Sequence, residues 1–218
     1  MAGIIVLGAG TFAQDVTDLI WENGDRLMAY IIDQGCWDVG QRLLGTPVYD
    51  TRSPIWPDEG LSGALCVAAI ILPQRKGLIQ TMARRQFNFT TVVAKSADVS
   101  MKTRVGVDVV IHRQVAVSSY GQIMDHVIVN RGALIGHHVL IEPYATIGPG
   151  ANLCGRVVVE SGAVVGAGAT VLENRRIGAG ARVGAGALVT HDVEPGVTVI
   201  GVPARPYSPE WHVRAEDW

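Results

Sequence analysis

Ile141-Glu142-Pro143-Tyr144-Ala145-Thr146-Ile147-Gly148-Pro149-Gly150-Ala151-Asn152-Leu153-Cys154-Gly155-Arg156-Val157-Val158-Val159 contains four aliphatic anchors spaced six residues apart. Outward from this segment the same spacing holds from Val93 to Val189. The anchors are Val93, Val99, Val105, Ile111, Val117, Ile123, Val129, Ile135, Ile141, Ile147, Leu153, Val159, Val165, Val171, Ile177, Val183 and Val189. A helical period of 3.6 drifts out of phase with such a pattern, and a flat strand would place an apolar residue at every second position. A fixed short repeat instead marks a solenoid, in which each unit buries its apolar residue by stacking on its neighbours.

The fourth position after an anchor is small or β-branched almost throughout, as at Ala97, Val115, Ala133, Ala151 and Ala169, with Arg175 as the exception. The first position after an anchor is often glycine, at 106, 136, 148, 166, 178 and 184, where a tight corner with positive φ is expected. On these residues the segment resembles the hexapeptide-repeat acyltransferases. The resemblance implies a left-handed parallel β-helix with three hexads to each triangular coil, and therefore an all-β domain over residues 93–205.

The first 92 residues read differently. Gly3-Ile4-Ile5-Val6-Leu7 is an apolar run of strand length leading into Gly8-Ala9-Gly10, and Thr11 to Asn23 carries Val16, Leu19 and Ile20 on one helical face, with Gly24 behind. A strand, a glycine-rich turn and a helix bring backbone N–H groups together where a phosphate is favoured. The strand Leu27–Ile32 ends at Asp33, an acid placed to accept from nucleotide hydroxyls in a Rossmann-like half. Ala64 to Leu72 reads as a buried strand, Gly77 to Arg85 as a helix, and Thr90 to Val92 as a strand entering the repeat. The expected substrate-binding residues here are Gly8, Gly10, Thr11 and Asp33. Gly-x-Gly alone also serves plain βα packing, and Ala13 stands where a dinucleotide fingerprint has its third glycine.

Composition bounds the rest. The net charge is -2 and no basic cluster stands out, which argues against nucleic acid as a partner. No signal peptide opens the chain and no apolar run nears membrane-span length, so a cytoplasmic protein without membrane insertion is expected. Cys36, Cys66 and Cys154 are odd in number and scattered, giving neither a disulfide framework nor a metal spacing. All five tryptophans, at 21, 37, 56, 211 and 218, lie outside the repeat, which places a boundary near residue 92 and leaves 206–218 as a C-terminal tail.

A Rossmann-like α/β domain followed directly by the solenoid resembles the bacterial sugar acetyltransferases of the sialic-acid O-acetyltransferase type. The nearer branch N-acetylates nucleotide-linked 4-amino-4,6-dideoxy sugars. The resemblance implies acetyl-CoA as acyl donor, a nucleotide-sugar acceptor, a homotrimer with sites between subunits, and no metal. It places the general base on His137, seven residues after Asn130, and the oxyanion donor on Gly155, with Gly148, Ala167, Gly184 and Arg205 along the acetyl-CoA path. Imidazole, with an ordinary pKa near 6.5, can accept a proton from an attacking amine or hydroxyl at neutral pH. Eighteen residues to a coil puts Gly155 one rung beyond His137 and Ser119 one rung before it, and stacks Asn130 between His112 and Gly148. The chain departs from the family pattern at His138, where an acid usually follows the base, at Thr146, where a second histidine usually stands, and at Thr11-Phe12-Ala13-Gln14. Sugar O-acetylation remains open beside N-acetylation. A zinc-dependent γ-type carbonic anhydrase and a non-catalytic assembly protein are the competing readings.

Overall fold

A computed structural model describes residues 2–33, 42–52, 61–70 and 75–207. Cys36, Trp37, Trp56, Trp211, Trp218 and most of the 206–218 tail lie outside the described residues. Two hydrophobic layers flank a sheet in the first part, and a third core fills a long parallel solenoid.

The sheet is built from β1 (Gly3–Leu7), β2 (Arg26–Ile32), β3 (Arg42–Leu43), β4 (Thr46–Asp50), β5 (Leu65–Ala68) and β6 (Asn88–Phe89) in the order β3-β4-β2-β1-β5-β6. All pairs are parallel except β3 with β4. Strands β1, β2 and β5 are nearly continuous runs of buried aliphatics, as expected of a parallel sheet covered on both faces. Helix α1 (Thr11–Glu22) covers one face with Ala13, Val16, Leu19 and Ile20, and α2 (Arg75–Arg84) covers the other with Leu78, Ile79 and Met82. Helix α1 ends in a paired-carbonyl cap. Gly24, at φ 84, donates to Trp21 O and Asp25 donates to Ile20 O, both at 3.0 Å.

Three sequence expectations shift here. The strand expected over Ala64–Leu72 is Leu65–Ala68; Ile71 and Leu72 lie outside the described residues. Helix α2 spans Arg75–Arg84 rather than the expected Gly77–Arg85, and the buried Arg75 guanidinium donates to the solenoid carbonyls of Tyr144 and Ala145. Thr90 and Thr91 belong to no strand: β6 precedes them, and Val92–Val93 opens the solenoid after them. Thr91 is held by its side chain instead, its Oγ1 donating to Gly106 O at 2.8 Å and accepting from Val109 N–H at 3.1 Å.

From Val92 to Val189 each hexad contributes a two-residue strand, and strands pair eighteen residues on, as in Val110↔Ile128, Ala116↔Leu134 and Gln122↔Leu140, until the last coil, where Arg182↔Thr198 is sixteen. Three parallel sheets result, one for each side of the coil. The anchors from Ile111 to Val189 are buried to 4% exposure or less, whereas Val93, Val99 and Val105 of the first coil are only partly covered. At about 1.5–3 kcal/mol for each fully buried aliphatic, the stack supplies its own hydrophobic stability.

The corner glycines follow a different rule from the one expected. Positive φ occurs three residues after the anchor, at Gly132, Gly150, Gly168 and Gly186, and also at Asp108, Tyr120, His126, His138 and Asn174. The glycines immediately after the anchors are required by the next rung. A Cβ at Gly136 would stand 2.7 Å from Cys154 C, and one at Gly166 would stand 2.6 Å from Ala185 N.

The two parts share a core. Val110 and Ile128 point outward from one solenoid face and are buried with Val16, Leu19 and Ile20 of α1. Asp108 completes the sheet edge where β6 has ended, its Oδ1 accepting the Ala68 N–H at 2.7 Å.

Candidate active site

His137 follows the Leu134–Ile135 strand at one corner of the coil, and the next rung at that corner carries Gly155. A Cβ at Gly155 would stand 2.7 Å from both Cε1 and Nε2 of His137. The imidazole therefore occupies the space that a side chain at Gly155 would take. Arg156 N–H donates to His137 O at 2.9 Å and Gly155 O accepts from Asn174, which fixes the register of the column. Among the described residues the Gly155 N–H donates to no backbone carbonyl, as is common to this corner position. His137 Nδ1 lies 3.1 Å from Nδ1 of His138, whose ring packs on Tyr120 at a centroid distance of 5.1 Å.

Asn130 is on the preceding corner, and the structure does not bring it to His137 within the chain. Its side chain is buried, and its Oδ1 accepts the Arg131 N–H at 2.8 Å. It stacks between His112 and Gly148 as the eighteen-residue coil requires, with His112 donating to Val129 O and Asn130 to Ile147 O. Gly148, Ala167 and Gly184 share that corner: a Cβ at Gly148 would stand 2.7 Å from Ala167 N, and one at Gly184 would stand 2.7 Å from Ile200 Cγ2. Gly155 is thus separated from the other residues expected along the acyl-donor path. Arg205 is exposed in a short strand, Arg205–Pro206, antiparallel to Thr198–Ile200. It borders a cleft of about 280 Å³ at the end of the solenoid, together with Thr190, His191 and Ala204. Thr146 is buried on the outer face, one rung beyond Ile128.

The residues expected to hold substrate gather at the carboxyl end of the sheet. Gly8 has φ 112, and a Cβ there would meet Ile70 Cγ1 at 2.7 Å and Ala69 O at 3.0 Å, so packing alone demands glycine. Gly10 is different. It has no positive φ, and no atom of the described residues lies within 4 Å of where its Cβ would be. It is the N-cap of α1 without a side-chain cap bond, and the first turn from Thr11 has no acid. Gly10 and Thr11 are exposed, so the orphan N–H groups and the positive end of the helix lie at the surface. Asp33 follows β2, half-buried. Beside it, at the end of β4, Asp50 accepts from Arg52, with Nη2 to Oδ2 at 2.7 Å, and this bond holds the Asp50 carboxyl below its ordinary pKa.

Two of the other solenoid histidines are structural. His112 is buried beside Phe12, with Arg113–Glu22 and Arg131–Asp15 ion pairs tying the same corner to α1. His126 Nδ1 is 2.7 Å from Oδ2 of the buried Asp108, and its ring stacks on Tyr144 at 4.8 Å. Burial raises the Asp108 pKa, and the His126 hydrogen bond opposes that shift. These contacts join segments far apart in sequence, and no local pattern announces them. Among the described residues no three His, Cys, Asp or Glu side chains group to hold a metal ion, and no helix is long and apolar enough to cross a membrane.

No protein-family model and no curated protein sequence matches the chain. Solved structures do. A histidine-to-asparagine variant of perosamine N-acetyltransferase from Caulobacter crescentus, in complex with CoA and GDP-perosamine, is 28% identical with a TM-score of 0.85, covering 95% of this chain and 98% of that one. WeeI from Acinetobacter baumannii is 27% identical with a TM-score of 0.83, covering 95% and 100%. The acetyltransferase domain of PglB from Neisseria gonorrhoeae, in complex with acetyl coenzyme A, is 25% identical with a TM-score of 0.83, covering 94% and 98%. Solenoid and likeness together make this chain an acyltransferase, similar in structure to acetyl-CoA-dependent sugar acetyltransferases. Over nearly its whole length it is similar to the Caulobacter perosamine N-acetyltransferase.

Proposed function

We propose that the chain transfers an acetyl group from acetyl-CoA to the amine of a nucleotide-linked 4-amino-4,6-dideoxy sugar, with His137 as general base. The observation that carries this reading is the His137 imidazole seated on Gly155, in a chain similar throughout to an enzyme crystallised with CoA and GDP-perosamine. His137 Nε2 accepts the proton of the attacking amine, and the Gly155 N–H is free to donate to the oxyanion that develops on the thioester carbonyl. The same proton then passes from Nε2 to the departing thiolate. An amine is a better nucleophile than a sugar hydroxyl, which favours N- over O-acetylation.

In this reading residues 1–92 form a Rossmann-like nucleotide site. Gly10 and Thr11 meet phosphate at the α1 N-terminus, Gly8 shapes the turn, and Asp33 accepts from the nucleotide. Residues 93–205 form a left-handed β-helix, with 206–218 as a tail. Gly148, Ala167, Gly184 and Arg205 line the acetyl-CoA path. Because they and Gly155 occupy different corners, a site between two subunits unites them where one chain cannot, and a homotrimer supplies it. The proposed location is the cytoplasm.

The test is His137→Ala. Acetyl transfer should fall by about 10²–10⁴ while acetyl-CoA affinity stays nearly unchanged. Turnover within a few-fold of wild type on the true acceptor would remove His137 from the mechanism.

A further inference from the structure

The imidazole proposed as the base is itself held by a second imidazole. The rings of His137 and His138 meet at 87° with their Nδ1 atoms 3.1 Å apart, so one must donate and the other accept. His138 is the better anchored of the two. Its backbone is left-handed at φ 58, its N–H donates to Ser119 O at 3.2 Å, and its ring rests on Tyr120. Tyr120 is braced in turn by Lys102, whose Nζ donates to the phenol oxygen at 3.2 Å and lies 5.2 Å from the ring centroid.

We propose that His138 is a positioning residue: its Nδ1 accepts the Nδ1–H of His137 and so fixes the tautomer that leaves His137 Nε2 bare for the acceptor. This inference rests on the reading of His137 as general base. When Nε2 takes the proton of the attacking amine, the N–C bond forms and His137 becomes a cation. Its Nδ1–H bond to His138 is then charge-assisted, so it strengthens as the transition state is approached. When the C–S bond breaks, Nε2 returns that proton to the thiolate, and His138 has neither gained nor lost one. The arrangement fails when His138 is itself protonated, since two donors would then face each other. Charged or titratable neighbours of the pair are Lys102 and Tyr120 on the preceding rungs, and Cys154 and Arg156 on the next.

Two readouts test it. In the substrate-free enzyme, nitrogen-15 NMR should find neutral His137 protonated at Nδ1; a proton on Nε2 would overturn the proposal. In kinetics, His138→Phe keeps a ring for Tyr120 but removes the acceptor, so kcat should drop about 10- to 100-fold with both KM values within about twofold. His138→Asn returns an oxygen acceptor on a residue that tolerates left-handed φ, and it should recover most of that loss. Equal losses in Phe and Asn variants, or wild-type kcat in the Phe variant, would reject the positioning role. An inactive His137→Ala beside an unimpaired His138→Phe rejects this inference alone, whereas an active His137→Ala rejects the general-base reading and this one with it.

Discussion

Burial leaves His112 with Nδ1 accepting the Arg113 N–H at 2.8 Å and with Nε2 unpartnered among the described residues. Desolvation, then the Arg131 charge, holds its pKa below the ordinary value. The unfolded chain therefore binds a proton near pH 6.5 that the folded protein does not yet accept. The stability that depends on neutral His112 is fully present above that pH and is lost as pH falls, until folded His112 also titrates. The urea midpoint should drop less between pH 7 and 5 in His112→Gln than in wild type, and equal drops would contradict this account of the site. The glycine turn offers a second contrast between neighbouring residues. Gly8→Ala should lower stability, because Ile70 and the Ala69 carbonyl occupy the space. Gly10→Val should leave folding intact and raise the acceptor KM while the acetyl-CoA KM is unchanged, with Asp33→Ala acting in the same direction more weakly. Unchanged acceptor kinetics in both variants would favour a free-sugar O-acetyltransferase.

Among the elements, the solenoid was legible in the sequence because its period is a direct image of its geometry: each anchor faces one core, and the pairings up to Val189 are eighteen residues long. The glycines were legible only as a pattern. Those after the anchors admit the next rung's backbone, a contact between residues nineteen apart that no local rule predicts. Gly166→Ala should therefore cost about 1–3 kcal/mol and lower Tm by several degrees in calorimetry. Val165→Ala offers a benchmark of plain lost burial, and a Gly166→Ala protein as stable as wild type would refute the close-rung explanation. Strand β1, helix α1 and strand β2 were readable from apolar runs and turn residues. The contacts of Asp108 with Ala68 and of Arg75 with Tyr144 were not, because each joins residues forty or more positions apart.

At the scale of the molecule, the stacking of Gly155 one rung beyond His137 was readable from the eighteen-residue coil, but the contact of the His138 ring with His137 and its seat on Tyr120 came from the fold. The separation of Gly155 from Gly148, Ala167 and Gly184 onto different corners makes assembly part of the proposed chemistry. Light scattering should find a trimer, and a stable, fully active monomer would contradict the shared site. The most direct test of the central claim is coenzyme A release by the purified protein with acetyl-CoA and GDP-perosamine, or other nucleotide-linked 4-amino-4,6-dideoxy sugars, with mass analysis of the sugar product. The account predicts thiol release matched by one acetyl group on the amine of at least one such sugar. Release only with a free sialic-acid-type sugar and acetyl on its hydroxyl, or no release with any of them, would contradict it.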